Sequence, residues 1–334
     1  MIADGNRRGY GLLLENFWDE ARSLGLPLPQ ENPVSAASFC EARHKIKTDL
    51  FRKLLQHVWK LLAREFDDSI RWHGRRVFAV DGTKINLQRH EDLAREFAVP
   101  EGAHCPQALV STLFDVCAKV PIDLRVDSFA TDERAHMLDM LHHLNEGDVL
   151  VLDRGYPSHE VLQTLCKAGI DFLIRVPCSN TFEAIDLFRN MDGVDYRLFI
   201  EPPAASPSDW KPLRLRVVKL TNDEGEDSYF ITSLFRNEFS REDLRELYHM
   251  RWEEEEFYKL TKSNYIGQGQ FRSRTPVLCH TGDPRSVALP GNESLPLDAS
   301  RCDTRLRSKR SRSERCGVEC RSVCHTDLLG RGRG

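Results

Sequence analysis

Three observations in the 334-residue sequence predict an α/β fold. Apolar runs with a period of two begin near residue 75, helix-length amphipathic stretches alternate with them, and a long helical pattern returns after residue 238. Strands separated by helices require crossovers within one sheet. "RRVFAVDG", "QALVSTLFDV" and "PIDLRVDSF" read as three strands, the last two joined by a tight turn near residues 118–121. "TDERAHMLDMLHHLN" reads as a helix capped by Thr131 and ended by Gly147. "DVLVLD" is the next strand, "SHEVLQTLCKAG" a helix running from a Ser158 cap to a Gly169 stop, and "DFLIRV" a further strand.

The flanking segments divide the chain. Residues 1–70 form a helical N-terminal region, in which Ser35 or Ser38 caps a helix near "FCEARHKI". Leu50, Phe51, Leu54, Leu55, Val58, Leu61 and Leu62 then recur at spacings of three and four. Lys45, Arg52, Lys53 and Lys60 fall opposite that stripe, which suits either a solvated face or a DNA contact. Residues 71–280 form the sheet-bearing domain. Within it, 177–238 is a β-rich insertion ("DYRLFI", "PLRLRVVKL", "DSYFITSLF"), and 240–264 is a helix opened by a Ser240–Asp243 capping box. Residues 281–334 carry 11 Lys/Arg, 7 Asp/Glu and no aromatic residue, the composition of a basic, disordered tail.

Bulk properties exclude some classes. With 40% hydrophobic and 29% charged residues the chain suits a globular protein, and no apolar run reaches the ~18 residues of a membrane span. The N-terminus lacks the apolar stretch of a signal peptide, so a cytoplasmic location is expected. Cys40, Cys105, Cys117, Cys166 and Cys178 stand singly and read as reduced thiols. Cys316, Cys320, Cys324 and His325 lack the close pairing of zinc modules and read as incidental. The net charge of −4 does not by itself mark a nucleic-acid binder, and residues 1–280 alone carry −8. An acidic core that handles a polyanion needs cations at its site.

Three carboxylates supply a way to hold them. Asp81 and Asp153 each close an apolar strand, where an unpaired carboxylate is unfavourable by several kcal/mol. On the later helix, Tyr248, Arg251 and Glu255 share a stripe, with Lys262 two turns beyond Glu255. Composition does not choose between Glu255 and its neighbour Glu256; position relative to Arg251 and Lys262 favours Glu255. Oxygen ligands without a His/Cys cluster suit Mg²⁺ or Mn²⁺, and two such ions ~4 Å apart serve phosphodiester chemistry. Tyr248, Arg251 and Lys262 would hold backbone phosphate.

"DGTKINL", "DRGYPS" and the Tyr248–Arg251–Glu255–Lys262 spacing resemble the DDE transposases of bacterial insertion sequences, in the group with a Y-(2)-R-(3)-E-(6)-K signature. "EARHKI" and "EGDVLVLDRGY" resemble further segments of that family, so the likeness covers roughly 35–280. The resemblance implies an RNase H-like sheet with a β-rich insertion, and Asp81, Asp153 and Glu255 as catalytic metal ligands for Mg²⁺, with Mn²⁺ able to substitute. It also implies that Tyr248, Arg251 and Lys262 contact DNA near the cut. The implied chemistry is strand cleavage at element ends and attack of the freed 3′-hydroxyl on target DNA, by a homodimer in a synaptic complex associated with the nucleoid.

Tyr156 of "DRGY" either packs or steers a strand, and Trp252 is expected in the core. After residue 280 the chain departs from the family pattern, and a changed reading frame would produce such a tail. That departure keeps two alternatives open: a catalytically inactive remnant that still binds DNA, and a metal-dependent DNA nuclease.

Overall fold

A computed structural model describes residues 9–260, apart from 44, 46, 48, 67–70, 178–181, 192 and 223–224. Lys262, Cys178, the end of the 240–264 helix and everything expected of the tail therefore lie outside the described residues. Eight strands form one sheet: β1 Val77–Asn86, β2 Gln107–Asp115, β3 Val120–Ser128, β4 Val149–Leu152, β5 Asp171–Val176, β6 Asp195–Ile200, β7 Leu213–Thr221 and β8 Asp227–Thr232. Their order is β3-β2-β1-β4-β5-β8-β7-β6. β1, β4 and β5 are parallel, and every other neighbouring pair is antiparallel. An antiparallel meander followed by two parallel strands gives an RNase H-like core, and β8-β7-β6 extend it beyond β5.

Nine helices are described: α1 Tyr10–Ser23, α2 Ala36–Arg43, α3 Leu50–Phe66, α4 Glu91–Phe97, α5 Glu133–Met140, α6 His159–Ala168, α7 Glu183–Arg189, α8 Arg241–Met250 and α9 Trp252–Leu260. Local chemistry explains their ends. Ser35 Oγ accepts from the Ser38 amide, Ser158 caps α6, and Gly169 ends α6 in the left-handed region at φ 68°. Both arms of the Ser240–Asp243 capping box are made. At α5 the cap is Asp132 and not Thr131, because its carboxylate reaches the Arg134 amide. The β2–β3 turn puts Lys119 at φ 57°. Cys40, Cys105, Cys117 and Cys166 are free thiols.

The sheet buries two faces. Phe78, Val80, Leu113, Leu150 and Leu152 meet α3, α5, α6 and α7 on one side. Val77, Ala79, Phe114, Val149 and Val151 meet α8 and α9 on the other. Alternation along each strand therefore assigns every other residue to one face. By that parity Asp81 shares the α8–α9 face with Ala79, and Asp153 shares it with Val151.

Three local expectations change. β1 does not stop at Asp81 but continues to Asn86, because Gly82–Asn86 pair in register with Gln107–Ser111 of β2. α3 docks by Leu55, Trp59 and Ala63, leaving Leu50, Leu54 and Leu61 exposed. The helix carries two apolar stripes, and polar anchors decide between them. Trp59 Nε1 donates to Asp115 at 3.1 Å, and Arg52 Nε lies 3.0 Å from Asp123, so Arg52 does not belong to an outward basic face. The helix expected over 240–264 breaks at Arg251 into α8 and α9, and Trp252 is 49% exposed, outside the core. Glu254, Phe257 and Tyr258 take the inner side of α9, and Trp252 sits 200° around the helix from Glu254.

A buried ion pair ties the insertion to α8. The Arg216 guanidinium on β7 makes two 3.0 Å bonds to Asp195 of β6, and also donates to the carbonyls of Leu234 and Phe239 at 2.9 and 2.8 Å. Leu234 and Phe239 lead directly into α8, so one side chain fixes where that helix starts.

Candidate active site

Asp81 and Asp153 come together through strand register. β1 and β4 pair as Val77↔Val149, Phe78↔Leu150 and Ala79↔Val151. Carried two residues beyond the paired segment, that register brings Asp81 level with Asp153, the residue that follows β4, and the Asp153 charge bears on the Asp81 carboxyl. β4 ends at Leu152, so this flank of β1 opens into a crevice at the carboxyl ends of the parallel strands. α9 lies against β1 here, and its Tyr258 hydroxyl donates to the Asp81 carbonyl at 2.7 Å, on the side of β1 that pairs with β2.

Each aspartate is oriented. Asp81 Oδ1 accepts from the Gly82 amide at 2.9 Å. Burial pushes the Asp81 carboxyl up to about 6, against that amide and Arg251, with Glu133 and Asp153 adding to the rise. Asp153 Oδ1 accepts from the Tyr248 hydroxyl at 3.1 Å and lies 3.9 Å from an Arg175 nitrogen. Tyr248 is braced edge-on against Phe230, and its own hydroxyl is pushed up in pKa by burial.

The glutamates divide unexpectedly. Glu255 binds the Arg251 guanidinium at 2.5 Å and keeps 38% of its side chain exposed. Glu254 is fully buried, and neither of its carboxyl oxygens has a hydrogen-bond partner of normal geometry. Burial and the Asp81 charge push its pKa well up, tempered by Arg251 and by the Asp81 backbone. Arg251 is 8% exposed; burial opposes its charge, but Tyr248, Asp153 and Glu255 outweigh that and raise its pKa. The site thus brings Asp81, Asp153, Tyr248, Arg251 and the α9 glutamates into one region, with Glu254 and not Glu255 facing Asp81.

Sequence reasoning passes over Glu254, Tyr258 and Glu133. The one available signal was the Glu254–Tyr258 spacing of four, which places both on one face of α9. Tyr156, left between two roles by its sequence, is 1% exposed and packs among Val161, Leu162 and Leu152, yet its hydroxyl has no partner.

The donor set fits a hard divalent cation. Carboxylate oxygens predominate, Asp81 and Glu254 have raised pKa values, and Glu254 is unsatisfied. The fit is not closed: among the described residues the one set of three ligand atoms mutually within 4.8 Å is Asp123, His142 and His143. That potential metal-binding set lies on the other face of the sheet, since Asp123 pairs with Leu113 in register. Its imidazoles suit a transition ion better than Mg²⁺. Its carboxylate already takes Arg52 at 3.0 Å, Arg125 at 2.7 Å and His143 at 2.8 Å. Burial raises the Asp123 pKa, but those partners and the Leu124 amide bring it below the ordinary value.

The family model described as "Transposase DDE domain" matches residues 72–278, which include both aspartates and the whole of α8 and α9. The chain belongs to this family. Among solved transposases, it is similar to the piggyBac transposase in a synaptic complex with hairpin DNA, at 9% identity and a TM-score of 0.44, covering 63% of this chain and 44% of that one. It is also similar to the Mos1 transposase in a paired-end complex with the left transposon end, at 14% identity and a TM-score of 0.22, covering 47% of this chain and 49% of that one. The transposase-family chain thus spans less than half the length of the solved proteins it matches. No curated protein matches it. Among its described residues, no helix is long and apolar enough to cross a membrane.

Proposed function

We propose that the protein is a DDE transposase of the bacterial insertion-sequence group with the Tyr-Arg-Glu-Lys signature. It cleaves DNA strands at element ends and transfers the freed 3′-hydroxyl to target DNA. The observation that carries this reading is the adjacency of Asp81 and Asp153 beneath α9, inside the segment that matches the family. In this reading Asp81, Asp153 and Glu255 are the catalytic ligands for Mg²⁺, with Mn²⁺ able to substitute. Such ions, when bound, supply Lewis acidity for attack on a phosphodiester.

The chain's own residues prepare that site. The Gly82 amide and the Tyr248 hydroxyl fix the two aspartates. Tyr258 holds α9 against β1. Arg251 offers a fixed positive charge in a region otherwise rich in carboxylates, and with Tyr248 and Lys262 it contacts the DNA backbone beside the cut. The DNA partners are double-stranded element ends and a target duplex, held by a homodimer, with the helical residues 1–70 contributing to binding.

A nicking assay on supercoiled DNA in Mg²⁺ or Mn²⁺ tests the site, and joining of a labelled element-end duplex to a target tests the transfer. Both activities should vanish in Asp81→Asn, Asp153→Asn and Glu255→Gln. Undiminished nicking in those variants rejects the assignment, whereas nicking without joining identifies a nuclease. One observation favours a non-catalytic remnant: Glu255 turns to Arg251 while Glu254 takes the inner position. That reading predicts DNA binding with no cleavage in either metal.

A further inference from the structure

The acidic crevice has, besides the two aspartates and the α9 glutamates, a further carboxylate that the transposase signature does not include. Glu133 is the first residue of α5, on the face of the sheet opposite α9. It reaches the crevice across Gly82, the residue after Asp81. A Cβ at position 82 would stand 2.6 Å from Glu133 Cδ and 2.8 Å from its Oε1, so this approach requires a residue with no side chain.

Capping does not account for the position. The cap of α5 is Asp132, whose carboxylate accepts from the Arg134 amide. The Glu133 side chain makes no hydrogen bond or ion pair among the described residues, although an arginine follows it directly. Arg134 turns instead to Asp132, at 3.0 Å.

Two deeply buried, unsatisfied groups face the same space. The Tyr156 hydroxyl has no partner, and the charges of Asp81, Glu133 and Glu254 all bear on it. The two oxygens of Glu254 are likewise unpaired. Buried polar atoms left open in this way are unfavourable unless a ligand, ion or ordered water satisfies them. The carboxyl groups of Asp81, Asp153, Glu133 and Glu254 and one phenol thus surround a crevice whose neighbouring cations are Arg251, already committed to Glu255, and Arg175, 3.9 Å from Asp153.

We propose that Glu133 is a ligand for a second hard divalent cation, shared with Asp81 across Gly82. The inference rests on the reading of Asp81 and Asp153 as metal ligands and adds a residue to it. Gly82 is a positioning residue: its missing side chain lets the Glu133 carboxyl group approach.

Titration calorimetry with Mn²⁺ on the full chain tests this, with thermal melts in EDTA run beside it to verify folding. The wild-type protein should take up two ions. Glu133→Gln should lose one, or bind it about tenfold more weakly. Gly82→Ala should do the same while keeping the glutamate, because the added methyl displaces its carboxyl group. Asp81→Asn should weaken both ions. Wild-type binding in Glu133→Gln overturns the proposal, as does a variant that lowers only the melting temperature, since a helix-dipole contact would produce that result. Loss of an ion in Glu133→Gln with normal binding in Asp81→Asn overturns the shared site, whereas normal binding in Asp153→Asn alone removes the reading of that aspartate and leaves the Glu133–Asp81 site standing.

Discussion

The Tyr258 hydroxyl donates a 2.7 Å hydrogen bond to the carbonyl of Asp81, a residue 177 positions earlier in the chain. The bond falls beside Thr112, the β2 residue that pairs with Asp81 in register, and it is a direct polar link between the strand of the first aspartate and the helix of the glutamates.

Tyr258→Phe should therefore loosen α9 without changing any carboxylate. The Asp81 carbonyl stays paired in the β1–β2 ladder but loses its second donor, at a cost of about 0.5–1.5 kcal/mol in urea denaturation. Hydrogen exchange should rise in α9 and leave β1 protected; equal loss of protection in both would show that the bond is not a local clamp.

Acid should stabilise the metal-free site. Burial raises the Asp81 pKa from 3.8 to about 6, so between those values the folded state holds a proton that the unfolded state releases. Stability from this group is complete below pH 3.8, falls as pH rises through about 6, and is flat above. Stability curves in EDTA should diverge over that window between the wild type and Asp81→Asn, with the wild type showing the steeper decline. Parallel curves would place Asp81 in a solvated environment.

The two adjacent glutamates should respond in opposite ways. Glu254→Leu removes a buried, unpartnered carboxyl group and should stabilise the metal-free protein by about 1–3 kcal/mol at pH 8, read from chemical denaturation. Glu255→Leu strips the buried Arg251 of its carboxylate and should destabilise. A reversal of those signs would mean that α9 is rotated from the position described.

Arg216→Met leaves Asp195 nearly buried without its cation and should be unfavourable by about 3–5 kcal/mol. The paired change Arg216→Met with Asp195→Leu should recover much of that loss. A single variant near wild-type stability in denaturant would refute the role of the ion pair.

Much of the sheet was legible because its strands are buried. "VFAV" and "VLVL" are continuous apolar runs, as parallel strands covered on both faces must be, and each leads directly to its aspartate. The capping box at Ser240 and the Gly169 stop are equally local signals. What local sequence could not convey was rotation and partner choice. Four consecutive glutamates look alike until Phe257 and Tyr258 select which side of α9 faces Asp81. α3 has two apolar stripes, and Asp115 and Asp123, more than 50 residues away, determine which is buried. Past Asp81 the residues turn polar, so β1 continues only because β2 lies alongside. Glu133 gave no sign at all, since its relation to Gly82 exists only after α5 has folded back over the sheet.

The anchoring of α8 by Arg216 has a temporal consequence. A nascent chain lays down both aspartates well before α8 emerges, and that helix lacks its anchor until β6 and β7 have supplied Asp195 and Arg216. Until those strands are in place, the glutamates of α9, which follows α8 directly, have no fixed seat beside Asp81.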